Sequence, residues 1–432
     1  MSAISLDGAL ADGADLPVHL PLRKVFAVGL GNALEFYDFL TFSFFAIQIG
    51  HCFFPGGKGG HGLLFTLATF GAGFVTRPLG GVVIGAFADR AGRKPAMMLS
   101  FTLMGIAITG LALTPSYAAI GMAAPMLLLV FRLLQGFALG GEVGPSTAFL
   151  IEAAPPMRRG LYVGLQYATQ DVAVLAAGLV GYGLSSWLTP QELDAWGWRM
   201  AFLLGAAIVP LGLLVRRTLP ETLSPKSHPA RRRTLPRVPA LIIVLGLMML
   251  AATGISNYVL DYITTYAQDS LHLSAQLAFG ATAALGLSSI AGDVLCGLLS
   301  DRVGRKPVML TAVVLLLALT IPVYIAMIHW PTAPTIYAAT IFLAALIAFV
   351  VGPALITLTE SLPQASRAGV LGTIYAVAMA TFGGTTQFTI KWLIDVTGSP
   401  LAPACYMTGA VAVGAVAMFL VKETAPVQVG VT

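Results

Sequence analysis

Eight ionisable side chains sit inside otherwise apolar stretches: Glu35, Asp38, Glu142, Asp171, Asp261 and Asp293, together with Arg77 and Arg132. A carboxyl group can take up and release a proton. A planar guanidinium can hold a carboxylate through two parallel N–H bonds. A charge in the middle of a bilayer costs about 2.5–3.5 kcal/mol, so each of these residues needs a partner or a wet path. Asp38 lies 14 residues past Lys24, about 21 Å along a helix, and Arg132 lies 12 residues past Ile120, about 18 Å. If the two helices enter from opposite sides of a hydrocarbon core about 30 Å thick, those depths overlap. This predicts an Asp38–Arg132 ion pair that protonation of the carboxylate would break. Glu35, three residues earlier on the same helix face, is the second candidate proton site. The alternative is a static pair that only fastens two helices.

Other polar residues extend the pattern. Arg132, Gln135 and Glu142 fall within one arc of their helix. Tyr162, Gln166, Thr169 and Gln170 share a stripe on the next helix, and Asn257, Asp261, Thr264 and Thr265 share one further on, with Tyr262 beside them. The arc with Arg132 predicts a wet central cavity, and the other two stripes predict such a cavity or, equally, ordinary hydrogen bonding between helices. Asp171 points nearly opposite the Gln166 stripe and is expected to pack within the first half of the chain, near Arg77. As the cations inside the apolar stretches, Arg132 and Arg77 are the candidate holders of an anionic ligand. Gln135, Gln166, Gln170, Asn257 and Tyr262 would orient it. Arg77 could equally be a structural arginine beside Pro78.

The elements that must position these residues follow from composition. Of 432 residues 57% are apolar and 10% charged, against about 25% charged in a soluble domain. That excludes a soluble enzyme, a disordered chain and a nucleic-acid binder, and makes lipid the solvent. Apolar runs long enough to span a bilayer cover 24–50, 62–88, 97–115, 120–150, 160–187, 199–216, 238–267, 274–300, 307–329, 334–357, 369–393 and 400–421. The expected fold class is therefore an all-α membrane protein with twelve transmembrane helices. With the N-terminus inside, all but five of the 24 Lys and Arg fall on the cytoplasmic side: Lys58, Arg199 and Lys391 fall outside, and Arg77 and Arg132 lie within helices. Both termini are then cytoplasmic. Residues 1–23 carry no basic start followed by an apolar run, so they read as a cytoplasmic arm rather than a signal peptide. The basic stretch 217–237 reads as a linker between bundles at 24–216 and 238–421, and 422–432 as a tail.

The halves repeat each other. Gly85-Ala-Phe-Ala-Asp89-Arg90-Ala-Gly92-Arg93-Lys94-Pro95 recurs as Gly297-Leu-Leu-Ser-Asp301-Arg302-Val-Gly304-Arg305-Lys306-Pro307, and Glu152, Pro155 and Arg159 recur as Glu360, Pro363 and Arg367. Two echoes in matching loops point to a duplicated six-helix unit with a site at its interface. The loop charges are candidate gates on the cytoplasmic face: Asp89, Arg90 and Arg93 in one copy, Asp301, Arg302 and Arg305 in the other, with Glu152 paired to Arg159 and Glu360 to Arg367. The positive-inside effect explains the basic residues but not the repeated Asp.

The paired G-x-x-x-D-R-x-G-R-K loops resemble the signature of the major facilitator superfamily, over essentially the whole chain. Gly31-Asn32-x-x-Glu35-x-Tyr37-Asp38, Arg77-Pro78-x-Gly80, Arg132-Leu-Leu-Gln135-Gly136 with Gly141-Glu142, Trp196-Gly197-Trp198-Arg199 and the Gln166/Gln170 pair are similar to the metabolite:proton symporters, above all their citrate and tricarballylate branch. The chain departs from that branch at Pro145, Asp171 and Asp293. The resemblance implies two pseudo-symmetric six-helix bundles and proton-coupled symport of a citrate-like di- or tricarboxylate by alternating access, in the inner membrane. Related symporters pair the first and fourth helices as Asp38 and Arg132 would be paired. Rivals are symport of a zwitterion or aromatic acid, proton-driven export, and a membrane sensor. No cofactor, metal or nucleic acid is expected, no enzyme motif stands out, and a monomer is the expected state.

Overall fold

The structure is a computed structural model. It describes residues 33, 36–54, 61–140, 151, 154–218, 238–363 and 367–429. The arm 1–23, Glu35, Glu142, Glu152 and most of the linker 217–237 lie outside the described residues, as do the side chains of Asp89, Arg93 and Lys94.

Twelve helical spans follow in order. These are α1 (36–53), α2 (His61–Val75 continued by Arg77–Ala91), α3 (Arg93–Leu113), α4 (Ala123–Leu139), α5 (Arg159–Trp187) and α6 (Trp198–Thr218). Then come α7 (Ala240–Asp261 continued by Ile263–Asp269), α8 (Ala275–Val303), α9 (Arg305–His329), α10 (Ala333–Ser361), α11 (Arg367–Ala378, Met379–Gly383, Gly384–Thr397) and α12 (Ala402–Leu420). No strand occurs among the described residues. Helices suit this sequence because only closed backbone hydrogen bonding is tolerated in lipid. Among the described residues seven of these helices are long and apolar enough to cross a membrane, α2 among them. Some helices carry local breaks with identifiable reasons. Pro78 lacks the N–H that would continue α2 across Thr76. In α11, Met379–Gly383 forms a π-helical turn, a local widening that is common at functional sites.

The repeated loops have one conformational cause. Gly92 and Gly304 precede α3 and α9 with φ of 104° and 119°, a region that a side chain would strain. That fixes one glycine of each repeat. The two halves meet along α5/α8 and α2/α11. Small residues allow it: a Cβ on Gly160 would lie 2.5 Å from the Gly297 carbonyl oxygen, and one on Gly71 the same distance from the Gly384 carbonyl oxygen.

We call the end carrying Gly92 and Gly304 the motif end, and the other the far end. Contacts between the halves occur at both. At the far end Ser43 and Gln387 exchange hydrogen bonds of 2.8 and 2.6 Å, and the Phe45 and Phe279 rings lie 4.6 Å apart. At the motif end Asp301 of α8 accepts the Gly160 and Leu161 N–H groups at 2.8 and 2.9 Å. A central cavity lies between these two closures.

Candidate functional site

That cavity has a volume of about 70 Å³, room for several waters. Its polar lining is Gln170, Asp171 and Tyr167 from α5, Asn257, Tyr258 and Asp261 from α7, Ser289 from α8 and Tyr375 from α11. Phe36 and Leu40 of α1 and Met379 of the π-helical turn close it on apolar sides. Both halves therefore contribute.

Beside it lies a cationic pocket. Arg132 is completely buried, with its guanidinium 4.1, 4.4 and 4.8 Å from the ring centres of Phe39, Phe42 and Phe70. Its Nη1 donates to Gln135 Oε1 at 2.9 Å and to the Phe39 carbonyl at 3.3 Å. Arg77, 7% exposed, lies 4.0 and 4.3 Å from the ring centres of Phe74 and Phe39. Aromatic faces attract cations, and more strongly when both are desolvated. Among the described residues neither guanidinium meets a carboxylate. Nε and Nη2 of both arginines, and Nε2 of Gln135, have no hydrogen-bond acceptor. Tyr258 joins the two regions: its ring packs on Phe70 and Phe74, its hydroxyl lies beside Arg77, and it lines the cavity.

The structure brings together some of the expected residues and separates others. Gln170, Asn257 and Asp261 do face the cavity, and Arg132, Arg77 and Gln135 share the pocket next to it. Gln166 is buried on α5 but does not line the cavity. Tyr262 does not line it either: it is fully buried near Asp269, Asp395 and Tyr266, toward the far end, because α7 breaks at that residue and turns its ring away. The Asp38–Arg132 pair does not form. Asp38 is 2% exposed and faces Gly205 of α6, with its Oδ1 unpartnered. The neighbouring Tyr37 hydroxyl donates to the Ala201 carbonyl at 3.0 Å. Phe39, one residue on and so turned by about 100°, is the residue that faces Arg132. Asp171 corrects a second expectation: it is not packed near Arg77 but opens onto the cavity and contacts Asp293 of α8.

At the motif end four of the expected gating residues converge, Arg159, Asp301, Arg305 and Glu360, while Glu152 of the expected Glu152–Arg159 pair lies outside the described residues. Arg305 Nη1 donates to Asp301 Oδ1 at 2.6 Å. Glu360 lies 3.4 Å from Arg159 Nη1 and 3.7 Å from Arg305 Nε. Arg367 donates to the Leu362 carbonyl. Of these pairs Arg159–Glu360 runs between the halves, while Arg305–Asp301 and Arg305–Glu360 lie within the second half. Arg90 and Arg302 are exposed. One participant was not anticipated. Glu423, just after α12, accepts the Arg305 and Lys306 N–H groups at 3.0 and 2.8 Å, capping the start of α9. Thr424 donates to Glu360 at 2.7 Å. Burial works against the Glu423 carboxylate, but the four backbone N–H groups it accepts outweigh that and hold its pKa below the ordinary 4.5. The repeat held the clue, since Glu423-Thr424 echoes Glu221-Thr222 in the linker. At the far end Lys391 bridges Asp269 and Asp395 at 3.0 and 2.8 Å. Among the described residues no three His, Cys, Asp or Glu side chains converge as metal ligands.

Comparison with known proteins decides the family. The profile of the Major Facilitator Superfamily matches residues 56–387. The chain belongs to the major facilitator superfamily. It is 34% identical over 402 residues to a citrate-proton symporter of Klebsiella pneumoniae, covering 92% of this chain and 90% of that one. It is also 33% identical to an alpha-ketoglutarate permease of Escherichia coli, covering 85% and 86%, and 31% identical to a proline/betaine transporter of Salmonella typhimurium, covering 94% and 84%. In fold it is similar to the crystal structure of a D-xylose-proton symporter, with a TM-score of 0.75 at 19% identity over 94% of this chain and 98% of that one. The superfamily member described here is thus a multi-pass membrane transporter of a small molecule and not an enzyme, with the twelve-helix architecture of two six-helix bundles.

Proposed function

We propose that this transporter carries a small citrate-like di- or tricarboxylate inward together with protons, by alternating access. One observation carries the reading: two guanidiniums, Arg77 and Arg132, are buried side by side with unfilled N–H donors and no carboxylate partner among the described residues. Two buried positive charges with free donors are costly unless an anion with several oxygens completes them. Tyr258 puts that pocket against the cavity wall, and citrate-proton symporters are among the similar proteins. In this reading Gln135 and Gln170 orient the ligand. The motif end faces the cytoplasm of the inner membrane, both termini lie there, and the bundles 24–216 and 238–421 rock about the cavity in a monomer. Asp301, Arg305, Glu360 and Arg159 close the cytoplasmic side.

The test is radiolabelled citrate uptake into proteoliposomes holding the purified full chain, with and without an imposed inward proton gradient. Gradient-stimulated uptake is expected, and Arg132→Lys is expected to weaken it because an ammonium cannot make the paired N–H contact. Wild-type vesicles that move no citrate under either condition would sink the citrate reading.

A second reading has its own observation. Asp171 and Asp261 line the cavity with the rings of Tyr167, Tyr258 and Tyr375, an arrangement suited to the cationic end of a zwitterion. Glycine betaine uptake in the same vesicles, with citrate excluded, would favour it.

A further inference from the structure

Asp171 and Asp293 face each other across the boundary between the two halves. Asp171 lies on α5 and opens onto the cavity; Asp293 lies on α8 and is 4% exposed. Their carboxyl groups are in hydrogen-bond contact. An ionised carboxylate only accepts hydrogen bonds, so two of them in contact need a proton between them. Among the described residues Asp293 Oδ2 meets no N–H or O–H donor. The titratable groups that face the pair are Tyr167 on α5, Asp261 on α7 and Cys296 on α8, with Tyr375 of α11 behind Tyr167. None is a cation, so among the described residues the proton is what neutralises this contact.

The location gives that proton leverage. α5 and α8 are the helices on which the halves lie closest. A Cβ on Gly164 would collide with the Asp293 carbonyl oxygen, one helical turn from where Gly160 meets Gly297. With one proton shared, the carboxyl pair is a bond between halves at the level of the cavity. With that proton gone, the pair is two like charges facing each other at the same place. Asp171 borders the cavity, so a proton arriving through its water can reach the pair without crossing hydrocarbon.

We propose that the Asp171–Asp293 pair is the proton-binding site of this transporter, holding one proton between the halves when they are closed and releasing it as the α5/α8 seam opens. The proton enters from the side to which the cavity is open, converting two carboxylates into one acid and one carboxylate in contact. It leaves to water on the other side as the carboxyls part. The proposal rests on the proton-symport reading above and places the coupling proton on α5 and α8 rather than on Asp38.

Two measurements on the purified full chain in lipid test it. The first is independent of substrate: the infrared C=O stretching band of a protonated carboxylic acid, recorded for wild type, Asp171→Asn and Asp293→Asn. Each variant replaces the shared-proton contact by an amide–carboxylate bond, so the band is expected to diminish in both. The second is citrate accumulation under an inward proton gradient. Asp293→Asn is expected to lower the accumulation ratio about tenfold under an imposed gradient of about one pH unit, since one coupled proton contributes a factor of ten per unit. Its residual uptake should no longer respond to the gradient. The variants are made separately, so that poor folding of one leaves the other to decide. A wild-type band untouched by either substitution overturns the proposal whatever is transported. So does full gradient-driven accumulation in both variants, or loss of coupling in Asp38→Asn alone. If citrate, alpha-ketoglutarate and glycine betaine all fail to move in wild type, the transport reading falls, and the infrared band still decides where the proton sits.

Discussion

Two buried ionic regions adjoin each other in this molecule, and they are built on opposite logic. The cationic pocket, Arg77 and Arg132 among Phe39, Phe42, Phe70 and Phe74, lies within the first half and keeps four guanidinium nitrogens unpaired. The acidic seam, Asp171 with Asp293, lies between the halves and satisfies itself only with a proton. A site that waits for an anion should be rigid and uncompensated. A site that reports on the relative position of two bodies should straddle their boundary. In the proposed reading similar costs serve different jobs: the first would select what is carried, the second would sense whether the halves are closed.

Removing Arg132 is the strongest way to break that contrast. Charge-assisted hydrogen bonds are worth about 1.5–3 kcal/mol each, so Arg132→Ala is expected to lower citrate uptake by roughly 10- to 100-fold. The gradient dependence of what remains should persist, because the seam is untouched. Initial-rate uptake with and without the gradient reads both. Arg77→Ala should cost less, about tenfold or below, if its stacking on Phe74 and Phe39 is shared between holding the ligand and holding the fold. Equal losses in the two variants would instead make the arginines a single bidentate clamp.

A smaller effect is expected at the motif end. Glu360 neutralises Arg159 from the first half and Arg305 from the second. Glu360→Gln removes both attractions while keeping the shape, and breaking a partly buried charge pair costs about 1.5–3 kcal/mol. The closed state should be populated less. Cys296, 1% exposed on α8 behind this closure, should then react faster with a membrane-permeant maleimide, by about 4- to 12-fold if half of that energy appears as opening. An unchanged labelling rate would mean that the backbone contact of Gly160 with Gly297 holds the seam by itself.

What was legible in the sequence was set by period and repetition. Twelve spans could be drawn because apolar runs have a length, and the motif loops could be paired because Gly92 and Gly304 need the same backbone conformation. Relative level could be read too, since Arg132 bonds the carbonyl of Phe39, the residue next to Asp38. Azimuth could not. Asp38 turns to Gly205 on α6 while its neighbour Phe39 turns to Arg132, a difference of one residue that no hydropathy pattern fixes on a helix apolar all round. Asp171 was misplaced for the same reason. On α5 the Gln166 stripe looked like the functional face, but α5 has two: one borders the cavity and one rests on α8. Tyr258 and Tyr375 gave no signal, because a tyrosine in an apolar helix is as readily core as cavity wall.

The weakest interaction in the comparison is also the one that pH reaches from outside the membrane. Glu423 holds the first N–H groups of α9 and so braces Arg305, which in turn holds Asp301 and lies beside Glu360. Its folded-state pKa is depressed below 4.5 by those N–H groups. Its contribution is therefore present above pH 4.5 and is lost as pH falls through the lower, folded value, where the carboxylate takes up a proton and its acceptor strength drops. Because Glu423 is only partly buried, screening limits the effect, and losing this cap should cost about 1 kcal/mol or less. Glu423→Gln is expected to lower the midpoint of thermal unfolding in the neutral range by a few degrees at most, and to remove the difference from wild type at acid pH. If the two proteins instead differed most at low pH, the cap would not be acting through its charge, and the brace on Arg305 would have to be a matter of packing along the tail.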